Sequence, residues 1–146
     1  MNFARVAMAA VAAWIVSIPV GYVVHDILLK DIYTANAAAM RPEEAMMANM
    51  PLGLAASLVG FLAFAYAYAK GYEGTSGSVE GIRFGVIVAL LLSGFGVVWQ
   101  YVVFPINGTM ITAMLVDVVA EFALYGAIVG SIYKPAARQA YNVVAV

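Results

Sequence analysis

Four apolar stretches, each long enough to cross a lipid bilayer, constrain this chain more than any other feature. A transmembrane helix needs about 20 consecutive apolar residues. The backbone polar groups of such a segment must be satisfied within lipid, so each stretch is predicted to be helical. The sequence therefore predicts an all-α fold: a single domain, residues 1–146, with four transmembrane helices in an antiparallel bundle. The stretches run from about Val6 to Leu29, Pro51 to Ala69, Phe84 to Phe104 and Met110 to Tyr133.

The composition agrees with a membrane protein and excludes several kinds of partner and site. Hydrophobic residues make up 65% of the chain and charged residues only 10%, whereas a soluble domain carries about 25% charged residues. The formal net charge is −1, so no nucleic-acid partner is expected. The chain has no cysteine, which excludes disulfides and thiolate metal sites. The expected surroundings are the lipid bilayer and neighbouring membrane proteins.

The connections between the stretches predict how the helices follow one another. Pro105, Asn107 and Gly108 are typical of a tight turn, so the third and fourth spans should form a hairpin. Between the first and second spans, Pro42 is placed to start a short helix with Glu43 and Glu44 in its first turn. We expect this helix to lie at the membrane interface, separate from the second span.

The distribution of basic residues predicts the orientation. With the N-terminus inside, five Lys and Arg residues lie on the cytoplasmic side and two lie outside, which follows the positive-inside rule. Both termini are therefore expected in the cytoplasm. The first stretch exceeds the apolar region of about 7–15 residues found in signal peptides, so we interpret it as a retained span. The inside residues are Arg5, Lys70, Arg83, Lys134 and Arg138, and the outside residues are Lys30 and Arg41.

Two acids, Asp117 and Glu121, lie within the fourth span and share one helix face because they are four residues apart. A charge at this depth costs about 3 kcal/mol on insertion scales, and such residues often mark function. One interpretation is a proton or cation site. The other is a protonated, hydrogen-bonded pair that holds the fourth span to its neighbours.

Polar residues of the first and third spans are expected near these acids. Tyr22, His25 and Gln100 lie at about the depth of Asp117. Ser17 and Ser93 lie deeper and are expected near Glu121. No basic residue is expected at that depth, and a buried carboxyl group without a cationic partner is favoured in its neutral form.

A metal site is a weaker prediction. His25 and three methionines, Met46, Met47 and Met50, are all expected on the outer side of the membrane, and imidazole and thioether groups can both bind metals. The alternative is a histidine hydrogen-bonded to water at the interface and methionines that fill apolar space. We predict no metal and no cofactor.

Small residues predict where helices approach closely. They form a GxxxG pattern at Gly126 and Gly130 and a second pair at Ala56 and Gly60, and two more, Gly94 and Gly96, lie in the third span. There is no P-loop, HExxH or GxSxG motif, so the chain is not expected to be an enzyme.

The third span ends in VVFPINGT, and the fourth ends in LYGAIVGSIYKP. With these features and a retained first span, the chain resembles a group of small, functionally uncharacterised bacterial proteins with four spans, classified as a domain of unknown function. The resemblance implies a bacterial inner-membrane location and no particular activity.

Three functions remain open. The first is a non-catalytic membrane subunit or accessory protein that packs with larger membrane partners or with itself. The second is a small proton- or cation-linked carrier that uses Asp117 and Glu121. The third is a metal or cofactor binder on the outer side that uses His25 and the methionine cluster.

Overall fold

The computed structural model describes residues 1–74 and 76–133, which form helices and no strand. Helices long and apolar enough to cross a membrane extend over Phe3–Leu28, Glu43–Gly71, Gly77–Val103 and Gly108–Ile132. This confirms the prediction of an all-helical chain with four candidate spans. The elements are α1 (Phe3–Gly21), a π-helical segment (Tyr22–Leu28), α2 (Lys30–Ala35), a 3₁₀ turn (Ala37–Ala39), α3 (Glu43–Gly71), α4 (Gly77–Leu92), a second π-helical segment (Ser93–Val97), α5 (Val98–Val103) and α6 (Gly108–Ile132).

The second long helix begins earlier than predicted. Residues 43–50 are the first turns of α3 and not a separate interfacial helix, so that prediction was wrong. Pro51 lacks an amide hydrogen, but it lies inside the helix without ending it, as proline often does in membrane helices. Glu, Ala and Met are strong helix formers, and Glu43 and Glu44 stabilise the helix N-terminus through its dipole.

The closest helix contact joins α4 and α6 through glycines. Gly77, Gly81 and Gly85 recur every fourth residue of α4 and lie against the backbone of α6. A Cβ atom built on Gly81 would overlap the carbonyl oxygen of Gly126, and one built on Gly130 would overlap that of Gly77. The order of these contacts shows that the helices are antiparallel, as a hairpin requires. Only glycine permits backbones to pack this closely.

A buried cluster joins α1, α3 and α6 at the end of the bundle that holds the chain's N-terminus. Small residues of α1, including Ala9 and Ala13, are fully buried there. The Phe61 and Tyr125 rings meet edge to face with centroids 5.0 Å apart, a favoured aromatic geometry. The Trp14 indole donates hydrogen bonds to the Leu54 carbonyl (3.1 Å) and to the Ser57 hydroxyl (3.0 Å), which ties α1 to α3.

At the opposite end, a buried asparagine connects the α2 region to the start of α6. The Asn36 side chain is 5% exposed. Its oxygen accepts a hydrogen bond from the Asn107 backbone N–H (2.8 Å), and its amide donates to the Ile32 carbonyl (2.8 Å). Asn107 also caps α6, because its side-chain oxygen accepts from the Met110 N–H at 2.9 Å. This end is called the α2 end below.

Much of each span faces away from the rest of the chain. Within the described residues, 11–22% of each apolar window is buried. Cβ atoms built on Gly60, Gly94 and Gly96 would meet no atom within 4 Å, and Ala56 is exposed. Any packing role of these four residues therefore concerns lipid or another chain. Lys134 and Arg138, on which the predicted orientation partly depends, lie outside the described residues.

The α4–α6 contact predicts the effect of enlarging its glycines. Gly81→Leu should destabilise the fold by about 1–3 kcal/mol, because overpacking forces the backbones apart. Thermal unfolding in mild detergent, followed by circular dichroism, would measure the change.

Gly53→Leu is the matched control, since a Cβ atom there would meet nothing within 4 Å. It makes the same gain in helix propensity and should leave the stability unchanged or slightly higher. Equal stability of the two variants would contradict a glycine-dependent contact.

Candidate cation site

His25 lies on a π-helical segment that follows a proline in the first span. Pro19 lies two residues before the end of α1, and the segment from Tyr22 to Leu28 continues with wider turns. Its last turn closes with a hydrogen bond from the Leu29 N–H to the Val24 carbonyl, at 2.8 Å. Local π-helical turns inside α-helices often occur at functional sites. The segment places a half-buried imidazole beside α6.

His25 converges with the two acids of α6. Its Nε2 atom lies 3.9 Å from Oδ2 of Asp117. One potential ligand atom from each of His25, Asp117 and Glu121 lies within 4.8 Å of the other two. No described lysine or arginine forms an ion pair with either acid. The cluster thus combines one imidazole and two carboxyl groups, which can bind protons or a cation.

Tyr33 of α2 orients the imidazole from its other side. The Tyr33 hydroxyl lies 3.0 Å from Nδ1 of His25 in a hydrogen bond, and the two rings meet edge to face with centroids 5.8 Å apart. Burial raises the pKa of the Tyr33 hydroxyl, and the negative charges of Asp117, Glu121 and Asp26 raise this pKa further. The phenol therefore stays protonated and remains a hydrogen-bond partner for His25.

Glu121 is the most enclosed member of the cluster. Its Oε1 atom is buried and has no hydrogen-bond partner among the described residues. The hydroxyl of Tyr125, one helical turn further along α6, lies within hydrogen-bonding range of the Glu121 carboxyl group. A buried polar atom without a partner costs about 1–3 kcal/mol, so Oε1 is an acceptor suited to a proton or a cation.

An open groove of about 760 Å³ extends from the α2 end to Asp117. Its polar lining includes Thr109 and Thr112 near the start of α6, and Asp117 lies further along the same helix. The remaining lining is largely apolar, with Val24 and Leu28 from the π-helical segment. Asp117 therefore borders an open groove that runs along α6 to the α2 end.

The other predicted members of the polar site lie elsewhere. Tyr22 is 61% exposed, and the Ser17 hydroxyl donates to the Trp14 carbonyl of its own helix at 2.7 Å. Gln100 lines a second groove, of about 310 Å³. Ser93 begins the second π-helical segment and is half-buried.

The methionines predicted as weak metal ligands do not share the groove that leads to Asp117. Met46 lines the second groove with Met40 and Met114, whereas Met47 and Met50 are exposed on the first turns of α3. The structure thus brings His25 to the acids of α6, which are oxygen donors, and not to the thioethers.

Two tyrosines of the site were absent from the sequence prediction. Tyr125 follows Glu121 by four residues, so helical spacing alone could have identified it. Tyr33 could not be found in this way, since the end of the π-helical segment at Leu28 separates it from His25 and no helical period connects the two.

The environment of Tyr33 predicts its titration. The phenol should ionise above the ordinary tyrosine value of about 10, because burial and nearby carboxylates both disfavour the phenolate. Phenolate absorbance would be titrated for the parent protein and for Tyr33→Phe, and the difference isolates this residue from the other tyrosines.

Asp117→Asn removes one of the negative charges and should lower the pKa of Tyr33. Asp31→Asn is the control, because this exposed acid of α2 does not contribute to the Tyr33 pKa. A difference curve with its midpoint at the ordinary tyrosine value of about 10 would contradict the geometry. A midpoint that Asp117→Asn does not shift would contradict it as well.

No family model, curated protein or solved structure matches the chain, so the resemblance to bacterial four-span proteins stays a prediction.

Proposed function

We propose that this protein is a small proton- or cation-linked carrier whose binding site is formed by His25, Asp117 and Glu121. The observation that carries the proposal is the convergence of these three groups, within 4.8 Å of one another, inside helices apolar enough to span a membrane. Ionisable groups at membrane depth are costly and commonly mark ion pathways or proton relays.

The arrangement favours binding over a purely structural role for the acids. Interhelical hydrogen bonds in membranes stabilise by only about 0.6 kcal/mol on average. Glu121 does not gain even this from its buried Oε1 atom, which has no partner among the described residues. A structural pair would be expected to satisfy its buried oxygens, whereas a binding site leaves one available.

The groove beside Asp117 supports the same proposal. Asp117 lines the groove that begins near Gly108 and Thr109 at the α2 end. A carrier must connect its site to one side of the membrane at a time. The groove supplies such a connection on one side, and a movement of α6 relative to α1 would be required to open the other.

The surroundings of the chain also belong to this proposal. We propose that it resides in a bacterial inner membrane with both termini in the cytoplasm, which rests on the distribution of Lys and Arg along the sequence. The α2 end, with the groove, would then face outward. The chain carries no recognised catalytic motif, and the proposed role is not enzymatic.

Replacement of Glu121 tests the carrier. The purified chain would be reconstituted in liposomes, with proton and cation fluxes recorded by entrapped indicator dyes. Glu121→Gln keeps the shape of the side chain and removes its negative charge, so flux should fall to the level of empty liposomes.

Glu43→Gln is the matched control, because Glu43 is exposed in the first turn of α3. This variant should retain parental flux. A parent protein without flux, or unchanged flux in Glu121→Gln, would reject the carrier.

A second candidate function is a subunit that packs with a membrane partner or with another copy of itself. The supporting observation is the small-residue face of α3, where Ala56 is exposed and a Cβ atom built on Gly60 would meet nothing within 4 Å. Small residues on a membrane helix let another helix approach closely.

The subunit proposal predicts association in mild detergent. Light scattering coupled to chromatography should show a complex larger than one chain of 15.4 kDa. Gly60→Leu should dissociate a self-assembled complex, while Ala55→Leu, at an exposed position on another face of α3, should not. A monomer under all conditions, with no copurifying membrane protein, would reject this candidate.

A further inference from the structure

The three groups of the cluster differ in chemistry, and their composition selects among cations. We infer that His25, Asp117 and Glu121 bind one divalent first-row transition-metal ion such as Zn²⁺ or Mn²⁺, through Nε2 and one oxygen of each acid. The inference rests on the proposed cation site and names its ligand. Imidazole together with carboxylates is a donor set that such ions accept.

The spacing of the donor atoms fits one shared ion after a small contraction. Atoms bound to Zn²⁺ lie about 2.0–2.2 Å from it, so any two of them are at most about 4.4 Å apart. The donors of His25, Asp117 and Glu121 lie within 4.8 Å of one another. At 3.9 Å, the His25 and Asp117 atoms are too far apart for a direct hydrogen bond and suitably placed for a bridging ion.

Charge balance favours a divalent ion over a monovalent one. Once metal binding has displaced any proton from the acids, a neutral imidazole and two carboxylates carry a total charge of −2, and no described lysine or arginine pairs with either acid. A divalent ion neutralises this charge, whereas Na⁺ or K⁺ would leave one negative charge in surroundings of low dielectric constant. Uncompensated charge is costly there.

Tyr33 accommodates the form of His25 that can bind a metal. A histidine ligates through a nitrogen without a proton, and the hydrogen bond at the other nitrogen fixes which one that is. In the tautomer whose Nδ1–H donates to the Tyr33 oxygen, 3.0 Å away, the Nε2 lone pair is free on the side of Asp117. Tyr33 is therefore a positioning residue and not a ligand.

The Oε1 atom of Glu121 supplies a second observation that points to a bound cation. Its buried Oε1 has no hydrogen-bond partner among the described residues, and coordination to a metal would satisfy it. With three protein donors, a tetrahedral ion keeps one open position for water or for exchange. The groove along Asp117 would bring the ion and that water to the site.

The same donor set argues against Cu⁺ and against Mg²⁺ or Ca²⁺. Soft thioethers select Cu⁺, but Met46 and Met114 line the second groove with Gln100, while His25 faces oxygen donors. Mg²⁺ and Ca²⁺ prefer sites built from oxygen atoms alone, so the imidazole should discriminate against them.

Metal binding to the full chain in detergent tests the inference. Equilibrium dialysis against Zn²⁺, Mn²⁺, Mg²⁺ and Ca²⁺, followed by elemental analysis, should show about one Zn²⁺ or Mn²⁺ per chain, with Mg²⁺ and Ca²⁺ bound at least about tenfold more weakly. His25→Gln and Asp117→Asn should each weaken binding by at least about tenfold. Tyr33→Phe should weaken it by about 10–100-fold, as loss of a positioning partner does.

Controls separate a site from surface binding and from misfolding. Glu44→Gln removes an exposed acid in the first turn of α3 and should leave the affinity unchanged. Circular dichroism and thermal unfolding would show that each variant is folded. Absence of stoichiometric metal, equal affinity for Ca²⁺, or unchanged affinity in both His25→Gln and Asp117→Asn would overturn the inference.

The flux experiment and the binding experiment test different proposals, so one can fail while the other succeeds. Stoichiometric Zn²⁺ or Mn²⁺ bound by a protein without flux would support the metal site and reject the carrier. Proton flux that depends on Glu121, in a protein that binds none of the metals, would support the carrier and overturn the metal site.

Discussion

The close backbone contact between α4 and α6 is the constraint on which the rest of the structure depends. Hydrophobic burial drives little association between helices in lipid, so packing and hydrogen bonds must hold them together. Gly81 and Gly126 permit an approach that any side chain would prevent. The contact fixes α6 against α4, and α6 in turn carries the acids of the site and the Tyr125 ring of the buried cluster.

The two ends of the bundle differ in what they contribute. At one end, small residues of α1 and aromatic residues of α3 and α6 form a well-packed cluster. At the α2 end, the contact between Asn36 and Asn107 holds the α2 region at the start of α6 and leaves a groove beside Asp117. The well-packed cluster and the open groove thus lie at opposite ends of the bundle, which suits a binding site in a small membrane protein.

Two interpretations of the acids, a binding site and a structural pair, were both compatible with the sequence. The positions of particular atoms favour binding. The Oε1 atom of Glu121 has no partner among the described residues, and His25 approaches Asp117 at a separation too long for a hydrogen bond. An unpartnered buried oxygen is costly in a structural pair, and both features suit a site that receives a proton or a metal ion. Tyr33 adds orientation to the imidazole, so two consecutive elements, the π-helical segment and α2, meet the distant α6 at the candidate site.

The sequence alone determined the four apolar helices, because the length of an apolar stretch is a local property and the thickness of the bilayer sets the length required. It also determined the turn at Asn107 and the placement of two acids on one face of α6, since cap preferences and helical spacing are local as well. The start of α3 was mispredicted because Pro51 was treated as a helix start, whereas a membrane helix can contain a proline.

Only the tertiary structure decided that His25 and Tyr33 meet the acids while Gln100 and Met46 lie on another groove. That outcome depends on how α1, α2 and α6 cross and on the wide π-helical turn at His25, and these are set by packing between helices that no local pattern encodes.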